Sequence, residues 1–297
     1  MGGLIQLQPP GPRLPAWLRK HRTHFESVHH LKTELRRLNL HTVCESARCP
    51  NMHECFHRGA ATFMILGNLC TRGCGFCSVP KSRRPGGLDP KEPENVAGMA
   101  AAMRLRYVVI TSVNRDDLPD GGSRHFAQTV REVRSALSSA RVEVLTPDFC
   151  GDPDAVARVL DAEPHVFNHN METVARLYKR VRPQANYRQS LDVLRFAKRY
   201  RPEALTKSGA MVGLGERPAE IEELLRDLRE AGADVVTLGQ YLQPARRNLP
   251  VAEFVAPEQF DAYREYGLSI GFKMLFSGPL VRSSYMADVV SEQACRT

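Results

Sequence analysis

Residues 60–77 read AATFMILGNLCTRGCGFC. The first half, centred on Thr62–Leu66, is a short apolar run closed by Gly67 and Asn68, the pattern of a buried strand. The second half places Cys70, Cys74 and Cys77 at C-x3-C-x2-C spacing directly after it. Three thiols therefore fall in a loop at the C-terminal end of a strand. In β/α architectures that end carries the chemistry.

Five further runs downstream have the same character: Tyr107–Thr111, Val142–Thr146, His165–His169, Gly209–Gly213 and Asp234–Gly239. Each is short, apolar and bounded by turn-forming residues. Helical patterns alternate with them. In Pro218–Gly232, residues Ile221, Leu224, Leu225 and Leu228 share one face. Pro218 suits the first turn there, and Gly232 suits the C-terminal cap. Phe126–Leu137 and Tyr187–Tyr200 are two more helices. About six strand–helix units imply a parallel sheet with crossover helices. The expected fold is α/β, a partial TIM-type (β/α)6 barrel; a doubly wound sheet is the alternative that periodicity leaves open.

Upstream, CESARCPNMHEC supplies a second triplet, Cys44, Cys49 and Cys55, at C-x4-C-x5-C spacing. Six of the eight cysteines thus lie between Cys44 and Cys77, and the clustering favours metal or redox chemistry over scattered thiols. Structural zinc normally takes four protein ligands, often as C-x2-C pairs. Each triplet offers three, which suits a 4Fe–4S cube with one iron open. Zinc remains the alternative at this level. Cys150 and Cys295 are isolated and read as ordinary thiols.

The chain has 297 residues, 42% of them hydrophobic and 25% charged, which is enough for a large core without disulfides. No apolar run is long enough to span a bilayer and no secretory leader is evident, so a cytoplasmic protein is expected. The N-terminal stretch reads as a flexible arm. A net charge of +8 points to an acidic partner, with no aromatic-interleaved RNA-binding pattern.

The second triplet, with Phe76 before its last cysteine, resembles the radical S-adenosylmethionine (SAM) superfamily. The first triplet resembles the lipoyl synthase family in particular. So do VVITSVNRDDLPDGG, VEVLTPDF, FNHNMETV, KSGAMVGLGE, GQYLQP and SGPLVRSSYMAD. The likeness covers roughly residues 15 to 290. It implies a sulfurtransferase of lipoate biosynthesis that inserts sulfur at the sixth and eighth carbons of a protein-bound octanoyl chain. Its cofactors would be two 4Fe–4S clusters and SAM, with the auxiliary cluster as the sulfur source. Another sulfur-inserting or methylthio-transferring radical enzyme, acting on a small molecule or tRNA, is the nearest alternative. An iron–sulfur or zinc carrier protein is the non-enzymatic one.

By that resemblance Cys70, Cys74 and Cys77 hold the radical SAM cluster. Cys44, Cys49, Cys55 and Ser284 hold the auxiliary one, with Arg282 beside it to stabilise the sulfides. On their own, Ser283 and Ser284 would pass for hydrogen-bonding loop residues. Ser112, Asn114, Asn168, Asn170, Glu172, Lys207 and Ser208 are candidate SAM contacts, with Glu216 nearby. Turn and cap roles are the alternative for each. Asp116 and Asp117 are expected to brace Arg115 or its loop. His29, His30 and His57 are expected at the surface or in packing, and Met171, Met211 and Met274 in the core.

The expected organisation is an N-terminal extension (1–60), a barrel core (61–240) and a C-terminal extension (241–297). The implied partners are an acidic octanoylated lipoyl carrier, an electron donor such as flavodoxin or ferredoxin, and a cluster-repair protein, with no nucleic acid or membrane. Two positions depart from the family pattern: Asn248, where His is usual, and Met286. Neither is expected to touch the triplets or Ser284.

Overall fold

A computed structural model describes residues 14–18, 32–46, 49, 51–57 and 60–284. The expectations for most of the N-terminal arm, for His29, His30 and the His57 side chain, and for Met286 and Cys295 lie outside the described residues.

One sheet organises the chain. Its strands are β1 (His41–Thr42), β2 (Ala60–Ile65), β3 (Tyr107–Ser112), β4 (Arg141–Leu145), β5 (Val166–Asn168), β6 (Leu205–Val212), β7 (Val235–Gln240) and β8 (Met274–Gly278). They neighbour one another in chain order, β1 to β8. β1 is antiparallel to β2, and every later pair is parallel. A doubly wound sheet reverses its strand order at a switch point. This one never reverses, so it winds in one direction as a barrel does, and β8 does not return to pair with β2. The result is a partial barrel. All six expected strands are present, and β8 adds a seventh to the parallel set.

The principal helices are α1 (Glu92–Ala102), α2 (Ser123–Ala136), α3 (Pro153–Leu160), α4 (Tyr187–Tyr200), α5 (Pro218–Glu230) and α6 (Pro257–Ser269). In α5, Ile221, Leu224, Leu225 and Leu228 are all buried, as their spacing requires. Each contributes on the order of 2 kcal/mol of hydrophobic transfer. Glu220 at the third helical position accepts from the Arg217 amide, half of a capping box. Gly232 ends the helix at φ +86°, which an L side chain would strain.

Two large clusters make up most of the core among the described residues. Phe63, Ile65, Ile110, Phe126 and Phe167 anchor the one beneath β2 to β5. Leu224, Leu228, Val236, Leu238 and Phe260 anchor the other, beneath β6 to β8. The strand-following loops on the C-terminal side of the sheet are left to carry function. Among the described residues no helix is long and apolar enough to cross a membrane.

Candidate active site

The C-x3-C-x2-C loop leaves β2 and is tied down on every side. Cys70 pairs with the returning chain through its amide to the Pro80 carbonyl (2.9 Å) and its carbonyl to the Ser82 amide (2.9 Å). Its sulfur accepts from the backbone amides of Arg72 and Asn114, both at 3.4 Å. Arg72, between the first two cysteines, is only 5% exposed. It reaches Asp116 after β3 (2.8 and 2.9 Å) and Asp148 after β4 (2.7 and 2.8 Å). Three consecutive strand ends are thereby joined through one guanidinium. Gly75 bonds both the Val181 carbonyl and the Leu249 amide, at 2.9 and 3.0 Å.

Nothing in the spacing pointed to Arg72, because its partners are distant in sequence. It takes Asp116, so the expected brace of Arg115 falls to Asp117 alone, at 2.8 Å. Asn248 also touches the triplet, contrary to expectation. Its amide donates to the Gly75 and Cys77 carbonyls at 3.2 and 2.9 Å. The loop after β7 passes directly under the cysteine loop, a proximity that sequence distance hides.

The first triplet comes from two short helical turns, Val43–Ser46 and Met52–His57, with Cys49 between them. Asn51 donates to the Leu280 carbonyl across 229 positions of sequence (2.8 Å). That bond draws the C-terminal segment, with Arg282, Ser283 and Ser284, onto the triplet. Gly239 makes the approach possible: a Cβ there would collide with the Val281 carbonyl. Ser78, next to Cys77, donates to the carbonyl of Ser46, two residues after Cys44. The two triplets are thus joined by one side-chain hydrogen bond.

The first triplet, Cys77 and the C-terminal segment open on one cavity of about 400 Å³. Cys44, Cys49, Cys55, Cys77, Arg282, Ser283 and Ser284 line it, with Asn170 and Glu172 from the loop after β5. Its walls are mostly apolar, including Val79, Val109, Leu145 and Met211. Met211 is therefore a cavity residue as well as a packing one, whereas Met171 is fully buried.

The donor set fits iron–sulfur clusters. All six cysteines are free. Burial pushes the Cys44 thiol far up, and the charges of Cys49 and Cys55 push it further. Burial raises Cys77 to about 11, with Cys74 and Cys70 adding to it. It also raises Cys74, against the pull of Arg182. Thiols held neutral in this way ionise when a metal takes up the charge. Among the described residues no three His, Cys, Asp or Glu side chains converge on a single ion. The thiols within each triplet feel one another's charge, as ligands gathered on one polynuclear cluster would.

Arg282 supplies a complementary signal. Burial holds its pKa below the usual range, with Cys49 opposing that effect. Its guanidinium donates to the Val281 carbonyl (2.6 Å), and no carboxylate among the described residues pairs with it. A desolvated cation of this kind suits an anionic group in the cavity.

The candidate SAM contacts divide into two groups. Asn170 and Glu172 line the cavity, and the Asn170 amide donates to Glu172 at 3.1 Å. The Asn170 Oδ1 is buried without a hydrogen-bond partner, and the Glu172 carboxyl is raised by burial. Asn114 flanks Cys70, and the Ser112 hydroxyl is buried without a partner.

Lys207, Ser208 and Asn168 do not reach the cavity. Lys207 is 2% exposed and ion-paired with the fully buried Glu143 (2.9 and 3.1 Å). Asn168 and the Tyr107 hydroxyl donate to the same carboxylate. Ser208 donates to the His169 carbonyl. The physical reason is that β6 begins at Leu205, so Lys207 and Ser208 lie inside the strand rather than at its C-terminal end. Glu216 caps the following loop by accepting from the Gly213 and Leu214 amides.

Known proteins match this arrangement. The radical SAM superfamily model matches residues 64–228, and that of the N-terminal domain of lipoyl synthase matches residues 6–49. The chain is 54% identical to a lipoyl synthase of Rubrobacter xylanophilus, over 95% of this chain and 88% of that protein. It is 52% identical to a lipoyl synthase of Thermus thermophilus, over 98% and 91%. Among solved structures it resembles the FeFe-hydrogenase maturase HydG of Carboxydothermus hydrogenoformans. There the TM-score is 0.55 at 11% identity, covering 92% of this chain and 84% of that one. Methylornithine synthase gives a TM-score of 0.51 at 16% identity, covering 88% and 87%. The structural likenesses speak for the fold, and the sequence relatives for more: the chain belongs to the lipoyl synthase family of the radical SAM superfamily.

Proposed function

We propose that this chain inserts two sulfur atoms, at the sixth and eighth carbons, into an octanoyl group carried on a protein. The observation that carries the reading is the single cavity on which the first triplet, Cys77, Arg282 and Ser284 all open.

Bound, the two 4Fe–4S clusters and SAM would supply one-electron reduction, a hydrogen-abstracting 5′-deoxyadenosyl radical and the sulfur itself. Cys70, Cys74 and Cys77 would hold the first cluster and leave one iron free for SAM. Cys44, Cys49, Cys55 and Ser284 would hold the second. An alkoxide is a harder ligand than thiolate, which suits Ser284 to the iron that must let go. Arg282 would offset the negative charge of that cluster. Asn114, whose amide stands beside Cys70, and Ser112, two residues before it, would bind the methionine end of SAM. Asn170 and Glu172 offer an unpaired acceptor and a carboxyl to its ribose. Asn168, Lys207 and Ser208 would support these groups from behind. The apolar walls suit an acyl chain and exclude water, which protects a reactive carbon centre.

The division into an extension (1–60), a core (61–240) and a second extension (241–297) belongs to this reading, although β1 and β8 join the core sheet. So do an acidic octanoylated carrier, an electron donor such as flavodoxin or ferredoxin, a protein that restores the consumed cluster, and a cytoplasmic location.

Mass spectrometry of an octanoyl-lysyl peptide, after anaerobic incubation with the reconstituted protein, dithionite and SAM, tests the proposal. A gain of two sulfurs is expected, with loss of two hydrogens once the dithiol product is oxidised to the disulfide. Unmodified peptide alongside ample SAM cleavage would overturn it.

A further inference from the structure

Three loops converge on the outer side of the cysteine loop, at Cys74 and Gly75. Lys81, in the loop after β2, places Nζ 3.5 Å from the Cys74 carbonyl. From the loop after β5, the Val181 carbonyl accepts from the Gly75 amide, and the Arg180 carbonyl lies 3.4 Å from where a Gly75 Cβ would sit. From the loop after β7, Leu249 and Asn248 both donate to the Gly75 carbonyl. These anchors bring Lys81, Lys179, Arg180, Arg246 and Arg247 around one small area. All five are exposed. Some exposed cations elsewhere have carboxylate partners, such as Arg37 with Glu34, Arg176 with Glu220 and Arg264 with Asp261. Others, such as Arg104, Arg131 and Arg199, have none among the described residues, so it is the convergence of five on one area that distinguishes this patch. None of these five is paired with a carboxylate among the described residues. In the same loops, Asp89 is turned onto the Lys91 amide, Glu172 faces the cavity, and Glu253 is exposed further along the loop after β7, where its amide meets the Gly213 carbonyl.

The position of this patch decides its partner. The cavity wall takes up the loop again at Phe76, Cys77, Ser78 and Val79, and neither Cys74 nor Gly75 belongs to it. The basic area therefore lies behind the cysteine loop, not around the opening that an acyl chain enters. A nucleic acid would want stacking aromatics. Among the described residues, the exposed large apolar side chains are Leu14, Trp17, Tyr200 and Leu268, none in these loops. What gains from this spot is a partner that need only come close to the cluster of the second triplet.

We infer that Lys81, Lys179, Arg180, Arg246 and Arg247 form the docking surface for an acidic protein that donates single electrons. The inference rests on the proposed function, which requires such a donor. For each SAM consumed, the donor loses one electron to the cluster held by Cys70, Cys74 and Cys77. That electron passes to the sulfonium, whose bond to C5′ breaks to give methionine and the 5′-deoxyadenosyl radical. Complementary charge raises the encounter rate and makes it dependent on salt.

The test uses the fully reconstituted protein and the triple variant Arg180→Glu/Arg246→Glu/Arg247→Glu, with iron content measured for both. 5′-Deoxyadenosine formation is followed with reduced flavodoxin and, separately, with dithionite. With flavodoxin, the variant is expected to lose at least about tenfold in rate, together with the salt dependence of the wild type. With dithionite it should match the wild type at equal iron. The glutamine triple variant should fall between the two with flavodoxin. An undiminished flavodoxin rate, or an equal fall with both reductants, overturns the inference. So does a dithionite-driven defect seen with an octanoylated carrier but not with an octanoyl-lysyl peptide, which would assign the patch to the carrier. Failure of the wild type itself to cleave SAM with dithionite would instead strike at the proposed function.

Discussion

Arg72 and Asp148 form a two-pronged ion pair, at 2.7 and 2.8 Å, with neither side chain meaningfully exposed. Arg72 belongs to the cysteine loop and Asp148 to the turn after β4, so the pair fixes the loop to the barrel rim. Burial opposes ionisation of Asp148, yet the Arg72 guanidinium beside it holds the carboxyl down at about 2. A depressed carboxyl contributes stability that is present above its unfolded pKa, near 4, and is lost as pH falls through 2. The contribution is on the order of 2 kcal/mol. Asp148→Asn should therefore destabilise the protein by about 2–3 kcal/mol at pH 7, since Arg72 keeps Asp116. Urea unfolding of both proteins at several pH values checks this. The gap between them should narrow steadily below pH 4, and a gap independent of pH would contradict the linkage.

Lys207 and Glu143 make a second buried pair, deeper in the barrel. Removing one partner strands the other charge away from water, so Lys207→Met should cost about 3–5 kcal/mol. Adding Glu143→Gln removes the stranded charge, keeps an acceptor oxygen for the Asn168 amide, and offers an NH2 that the Tyr107 hydroxyl can accept. The double variant should recover most of the loss. Calorimetric binding of SAM then separates support from contact. Affinity in the double variant should stay within a few-fold of the wild type; a loss of a hundredfold with stability restored would make Lys207 a direct ligand.

Much of this was legible in the sequence where one residue type had one physical use. Tyr107–Thr111 and Asp234–Gly239 are apolar, rich in β-branched residues and bounded by turn formers, so they announce buried strands. Both triplets announce themselves because clustered thiols have few other roles. β8 was harder to see, since Met274, Leu275 and Phe276 follow Lys273 and give way at once to Ser277 and Gly278. Lys207 lies inside β6, two residues before the conspicuous glycines of GAMVG that mark the strand in the sequence. The better clue was Glu143, a lone carboxylate inside the apolar run VEVLT, which had to find a buried cation. Arg72 carried no local signal, because both of its partners come from loops that only the folded sheet brings near.

The two triplets should be separable. Replacing Cys44, Cys49 and Cys55 by Ala should lower reconstituted iron from about eight to about four per chain. That variant should still cleave SAM, but it should yield no sulfur-containing product. The equivalent change at Cys70, Cys74 and Cys77 should also halve the iron and abolish cleavage altogether. Iron analysis beside 5′-deoxyadenosine measurement distinguishes them. Loss of cleavage in both variants would mean that the two sites are not independent.

Asn248 spans the Gly75 and Cys77 carbonyls with a single amide group. A planar amide can offer two hydrogens from one nitrogen, whereas a neutral imidazole has only one N–H. The Asn248 Oδ1 is buried without a partner, so the side chain is held by its donors alone. Asn248→Ala would leave the Cys77 carbonyl without this donor and the Gly75 carbonyl with only the Leu249 amide, at a cost of about 1–3 kcal/mol. The loosened Cys77 should show as a broadened or shifted electron paramagnetic resonance signal of the reduced cluster. Asn248→His keeps one donor, so its signal should lie closer to wild type than that of the alanine variant. If the alanine variant gives a wild-type signal and merely melts earlier, Asn248 serves packing and not the geometry of the cysteine loop.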